Sequence, residues 1–321
     1  MGKENLEKIS SEKLLTAPEV IFKLLKKHPE IIQVSIAEYF LRPHGEKDLG
    51  DSRLFASAFD LSKEIFENSS YSNEMIALGS IVDICPVKNC KHKTWHHFIG
   101  DSIMWQFDHD ECFRPPQGPQ RSFIFLDIEM KEPEVLGTIS EVLKNFKEDW
   151  YVLHSGGGFH VIIDKLVKLE DLPEEYGKII SLFGNEVGSQ SLKNWGESLE
   201  KVGKNWQKVL EWGELVREKI GHIDEPIHEQ GKEVHMIDLR HVAHSLKKTY
   251  EYHDFLKEVN YKPGYGRYHK DPGKIGGFYL RTSAKPDKNY PFLVAQKENG
   301  KIQFFQTVND LLRSQKQQRL F

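Results

Sequence analysis

The run Ser122-Phe-Ile-Phe-Leu-Asp127-Ile-Glu129 is hydrophobic and ends in two carboxylates. Side chains alternate faces along a strand, so Asp127 and Glu129 point the same way. Two acids held side by side repel each other unless a cation sits between them. A second run, Tyr151-Val-Leu-His-Ser155-Gly156-Gly157-Gly158-Phe-His160-Val-Ile-Ile, reads as strand, glycine turn, strand. Its three glycines let backbone N–H groups approach an anion, with Ser155 and His160 flanking the turn. A cation site beside an anion site is what phosphoryl chemistry on a nucleotide requires.

The elements that must position these residues follow from pattern. Arg114-Pro-Pro-Gln-Gly-Pro-Gln120 breaks the chain and delivers it into the strand bearing Asp127. Residues 132–148 fit a helix between the two runs, which gives strand, helix, strand-turn-strand. Residues 172–222 fit a helical insertion with breaks near Gly184 and Gly188, striped by Trp195, Leu199, Val202, Trp206, Val209, Leu210 and Trp212. Val234 to Arg240 reads as a returning strand carrying one more acid, Asp238. Residues 241–276 read as loop, and strands at 277–286 and 290–307 follow, the latter turning at Asn299-Gly300. Upstream, residues 4–42 and 60–68 read as helical, and residues 76–84 as a strand.

Composition bounds the partners. The chain has 321 residues, 39% hydrophobic and 29% charged, enough for a sizeable core. No apolar run approaches the ~20 residues of a membrane span, and the polar first residues do not resemble a signal peptide. The expectation is a cytoplasmic protein without a membrane partner. The net charge of −4 argues against a nucleic-acid protein. Its distribution argues the other way. From Arg240 to Lys288 there are eleven Lys/Arg against five Asp/Glu, interleaved with Tyr250, Tyr252, Tyr261, Tyr265, Tyr268 and Tyr279. Cations for phosphates and rings for bases are the single-strand-binding mixture, and Lys247, Lys248, Tyr265 and Arg267 are its candidate contacts. The plainer reading is a solvated basic loop.

Cys85, Cys90 and Cys112 are the only cysteines, too few for a disulfide scaffold. With one of His92, His96, His97 or His109 they could form a Cys3His zinc site. The alternative is unpaired thiols in a histidine-rich segment.

The order of Asp127-Ile-Glu129, then Ser155-Gly-Gly-Gly-Phe-His160, then Asp238 after a hydrophobic run resembles the three motifs of the archaeo-eukaryotic primase superfamily. The resemblance covers roughly residues 118–300. It implies an α+β protein with a split primase-polymerase core, one half related to the RNA-recognition fold. Residues 1–110 carry no such resemblance, and by pattern the N-terminal region, residues 1–112, is mainly helical with the Cys/His segment. Residues 113–321 form the core, with the insertion at 172–222. It also implies template-directed nucleotidyl transfer that initiates and extends primers on single-stranded DNA. Asp127, Glu129 and Asp238 would hold two Mg²⁺ or Mn²⁺ ions. Ser155, Gly156, Gly157, Gly158, His160, Arg281, Ser283 and Lys285 would bind the dNTP or NTP. Where the family often has Arg in the glycine turn, this chain has Gly157 or Gly158. Replication or CRISPR-adaptation proteins are the implied partners. Two other classes compete: a two-metal nuclease, which needs the acids but no triphosphate cradle, and a non-catalytic module that binds single strands.

Overall fold

The computed structural model describes residues 15–28, 33–41, 53–62, 81–82, 95–100, 121–130, 132–155, 158–221, 233, 235–258, 279–281 and 291–305. The protein is α+β. Its central element is a five-stranded antiparallel sheet in the order β10-β9-β6-β7-β5. The strands are β5 (Arg121–Ile128), β6 (Trp150–His154), β7 (Phe159–Lys168), β9 (Phe292–Glu298) and β10 (Lys301–Phe304). Helix α2 (Pro133–Leu143) carries the chain from β5 to β6, and β7 then inserts between those two strands. The β9–β10 turn is the expected one: Asn299 and Gly300 both have positive φ, 51° and 76°, which a two-residue hairpin of the right twist requires.

One face of this sheet packs on helices. Ile124, Leu126 and Ile128 of β5 join Val152, Val161 and Ile163 in a core with α2 and four later helices. These are α3 (Leu172–Glu186), α4 (Gln190–Val202), α5 (Trp206–Ile220) and α6 (Leu239–Glu258). Each large apolar side chain buried here contributes about 1.5–3 kcal/mol. Helices α3 to α5 match the expected insertion, and the chain breaks at 187–189, around the expected Gly188, and again at 203–205, where Ser189 and Asn205 cap the next helix. Gly184 instead lies inside α3. A Cβ there would sit 2.4 Å from the backbone nitrogen of Lys193, so this glycine permits close helix packing.

The opposite face carries Phe123, Phe125 and Asp127, and α1 (Ala17–Lys27) covers one end of it. The Ala17 N–H donates to the Pro291 carbonyl, and Leu293 N–H to Leu15. The Lys27 ammonium bridges Asp149 and Asp164, at 2.8 and 2.6 Å, and His28 also bonds Asp164. Burial works against the Lys27 charge, but the two aspartates outweigh it and raise its pKa.

The upstream segment departs from expectation. Among the described residues of the expected 4–42 helix, residues 17–27 are helical; β1 (Gln33–Leu41) follows, pairing with β2 (Arg53–Ser62) and β4 (Trp95–Gly100). The expected strand at 76–84 contains β3 (Ile81–Val82), and β8 (Tyr279–Arg281) adds to β4. A run such as Gln33-Val-Ser-Ile-Ala-Glu-Tyr-Phe-Leu41 is rich in β-branched and aromatic residues, which favour a pleated strand. A mainly helical N-terminal region is therefore corrected to one helix and four strands among its described residues. Residues 241–258, expected as loop, are helix α6: Leu239, Val242 and Leu246 recur at helical spacing behind Asp238. No helix among the described residues is long and apolar enough to cross a membrane.

Candidate active site

Three acids from two distant chain segments meet at the end of β5. Asp127 occupies its penultimate position and Glu129 follows it directly. Residues 236–238 run beside them: Glu129 N–H donates to the Met236 carbonyl, and Asp238 N–H to the Asp127 carbonyl at 2.9 Å. Ile128 and Ile237 form an isolated antiparallel bridge. The returning strand expected around Asp238 is thus this one bridge. Asp238 itself caps α6, its carboxylate accepting from the N–H groups of Arg240 and His241 at 3.0 and 3.4 Å.

The neighbours of the acids are cationic or can become so. Arg240, buried, grips Asp238 with both ends of its fork, Nε to Oδ1 at 3.0 Å and Nη2 to Oδ2 at 3.1 Å. His241 Nδ1 lies 2.8 Å from Asp127 Oδ2. His160 pairs with Asp127 across β5 and β7, its Nε2 3.7 Å from Oδ1. Pattern reading singled out His160 and missed Arg240 and His241. Their signal was the sequence Asp238-Leu-Arg240-His241 at a helix start, where first-turn residues fold back onto the cap.

Glu129 has the most displaced acidity in the cluster. Burial first, then the charges of Asp127 and Asp238, push its pKa from 4.5 up to about 7, although His241 and Arg240 pull it down. Between those values the folded protein holds a proton that the unfolded chain has lost. Stability therefore falls as pH rises from about 4.5 towards 7. In EDTA, Tm is expected to drop over this interval and the Glu129→Gln variant to flatten the drop. Calorimetric Tm values for both proteins across that pH range check it, and an unchanged slope in the variant counts against the assignment.

A divalent cation fits this charge pattern. The donors are hard carboxylate oxygens, which suit Mg²⁺ or Mn²⁺, and the raised pKa of Glu129 reports its burial first and then negative charge that Arg240 and His241 do not offset. The arms are not closed around a common point: among the described residues no group of three or more His, Cys, Asp or Glu is set to hold a metal. Asp238 is turned onto Arg240, which must yield or share it.

The glycine turn has a packing role of its own. Ser155 donates its N–H and its hydroxyl to the Gly158 carbonyl, at 3.0 and 3.2 Å, closing the turn. A hydroxyl has one proton to give, so in this arrangement Ser155 does not donate to a phosphate. A Cβ on Gly158 would lie 1.9 Å from the Ile128 carbonyl oxygen, so the third glycine lets the hairpin approach the acid-bearing strand.

The other expected contacts divide by position. Lys247 lies on α6, seven residues beyond Arg240, and Lys248 follows it in the same helix. Arg281 ends β8, opposite Phe98 of β4. Gly156, Gly157, Tyr265, Arg267, Ser283, Lys285, Cys85, Cys90 and Cys112 lie outside the described residues. No family model matches the chain, and neither a curated protein nor a solved structure matches it.

Proposed function

We propose that the protein is a DNA primase-polymerase, joining nucleotides from dNTPs or NTPs on a single-stranded template. The observation that carries the reading is the meeting of Asp127, Glu129 and Asp238 at the end of β5, with His160 beside Asp127. The three acids would hold Mg²⁺ or Mn²⁺. Bound there, such ions would supply the charge that lowers the pKa of a primer 3′-hydroxyl and offsets that of the departing pyrophosphate. Glu129, poised near neutrality, is ready to lose its proton when a cation arrives. Arg240 fixes the direction of the Asp238 carboxylate. His160, on the same strand pair, presents a ring N–H to a phosphate oxygen next to Asp127.

The test uses the full chain with Mn²⁺, labelled nucleotides and two substrates, a primed template and an unprimed single strand. Extended primers and short new products are expected. Extension alone would leave a polymerase without primase activity. Cleaved strands without incorporation would overturn the reading in favour of a nuclease, and binding without either reaction would overturn it in favour of a binding module.

A further inference from the structure

Trp206 of α5 meets Tyr250 of α6 and Gly213 faces Ala243, so the two helices run antiparallel, and between them lies a groove. Small residues open it: an added Cβ on Gly213 would come no nearer than 3.7 Å to the Ala243 methyl and 4.0 Å to its carbonyl oxygen. Four basic side chains line it, Arg217 from α5 and Arg240, His244 and Lys247 from α6. The α6 residues stand at spacings of four and three, hence on one face of the helix, and span about 10 Å along it. Among the described residues one acid, Glu214, also lines the groove and pairs with Arg217 at 2.8 Å, with both side chains well exposed. Such an exposed pair is weak and yields readily to a stronger anion. One turn beyond Lys247, Trp206 and Tyr250 stack at 5.5 Å with their planes 32° apart.

We propose that this groove takes the phosphodiester backbone of a single-stranded nucleic acid and leads it to the acid cluster. Phosphate is the chemistry that a row of Arg, His and Lys recognises. The aromatic pair at the end of the row favours a strand over free phosphate, because rings that stack on bases have no use for an inorganic anion. The row starts at Arg240, the residue whose fork holds Asp238. Arg240 is itself buried and committed to Asp238, so it marks where the row meets the acid cluster, and Arg217, His244 and Lys247 are the cations that a strand would meet.

The inference deepens the polymerase reading, and its test is independent of that reading. Binding of a fluorescein-labelled 20-mer of thymidine is followed by anisotropy in EDTA without nucleotides. The full-length protein is compared with its Arg217→Ala/Lys247→Ala double variant. The expected result is at least about tenfold weaker binding and a loss of about 1.4 from the slope of log K against log salt, roughly 0.7 for each of two phosphates. A calorimetric titration with inorganic tripolyphosphate distinguishes the source. If the variant binds the strand normally but has lost tripolyphosphate, the groove takes phosphate from a free polyphosphate. If neither ligand discriminates variant from wild type, the proposal is overturned. A groove that binds strands in a protein that never extends primers would sink the polymerase reading and leave the groove standing.

Discussion

Primer extension by the Asp127→Ala protein is expected to fall by at least about 10³-fold. The magnitude follows from the role: an acid that positions a charge-stabilising cation acts on the transition state far more than on the ground state. Asp127 also touches both histidines of the cluster, at 2.8 and 3.7 Å. Its removal therefore changes three things at once, the cation donor set, the orientation of His241 and the charge felt by Glu129. The last is separately measurable. Asp127 has the larger effect of the two acidic neighbours that raise the pKa of Glu129, so the variant should show a shallower loss of stability between pH 4.5 and 7. Strand binding should survive or strengthen, because one anion facing a polyanion is gone. Single-turnover extension and anisotropy on the same preparation check both halves. Extension at the wild-type rate would remove Asp127 from the chemistry.

Much of the scaffold behind this site was legible because it is local. The strand with Asp127, the helix after it, the strand-turn-strand with His160 and the Asn299-Gly300 hairpin each announce themselves within about ten residues. The three insertion helices were also readable, since their apolar stripes run uninterrupted between caps. What escaped is what long-range contact decides. Val234 to Asp238 has the hydrophobicity of a strand, but among its described residues the pairing with β5 is one bridge, Ile237 to Ile128, before the Asp238 cap starts a helix. The strand Gln33–Leu41 was lost to a helical reading of the Leu and Ile spacings of residues 4–42, although its pairing with β2 and β4 is what makes it a strand. Lys27 and His28 meet Asp164 across more than 130 residues, a distance over which no pattern speaks. At the site, the pair Asp127 and Glu129 was readable from alternation, whereas the Arg240 fork on Asp238 needed the turn of α6.

Gly158→Ala is the substitution expected to do the most damage for the fewest atoms. The added methyl carbon would fall 1.9 Å from the Ile128 carbonyl oxygen, 3.0 Å from its carbon and 3.2 Å from the Glu129 Cα. All three are backbone atoms, so no side chain can rotate away. Either the turn lifts off β5 or the end of β5 moves. Lifting the turn strains the two Ser155 bonds to the Gly158 carbonyl and the pairing of Phe159 with Ile128. Moving the strand displaces Glu129 and the Asp127 carbonyl that receives Asp238 N–H. Overpacking of this kind costs about 1–3 kcal/mol, and an ångström of misplacement at a reacting centre costs about 10²-fold in rate. The expected outcome is a folded but less stable protein whose extension rate drops about a hundredfold with only a small change in strand affinity. Denaturant midpoints and single-turnover rates on the same variant read the two effects. A glycine that served only as a phosphate cradle would predict the reverse, a higher KM for nucleotide at unchanged stability. That result would return the turn to the anion site first suggested by its three glycines.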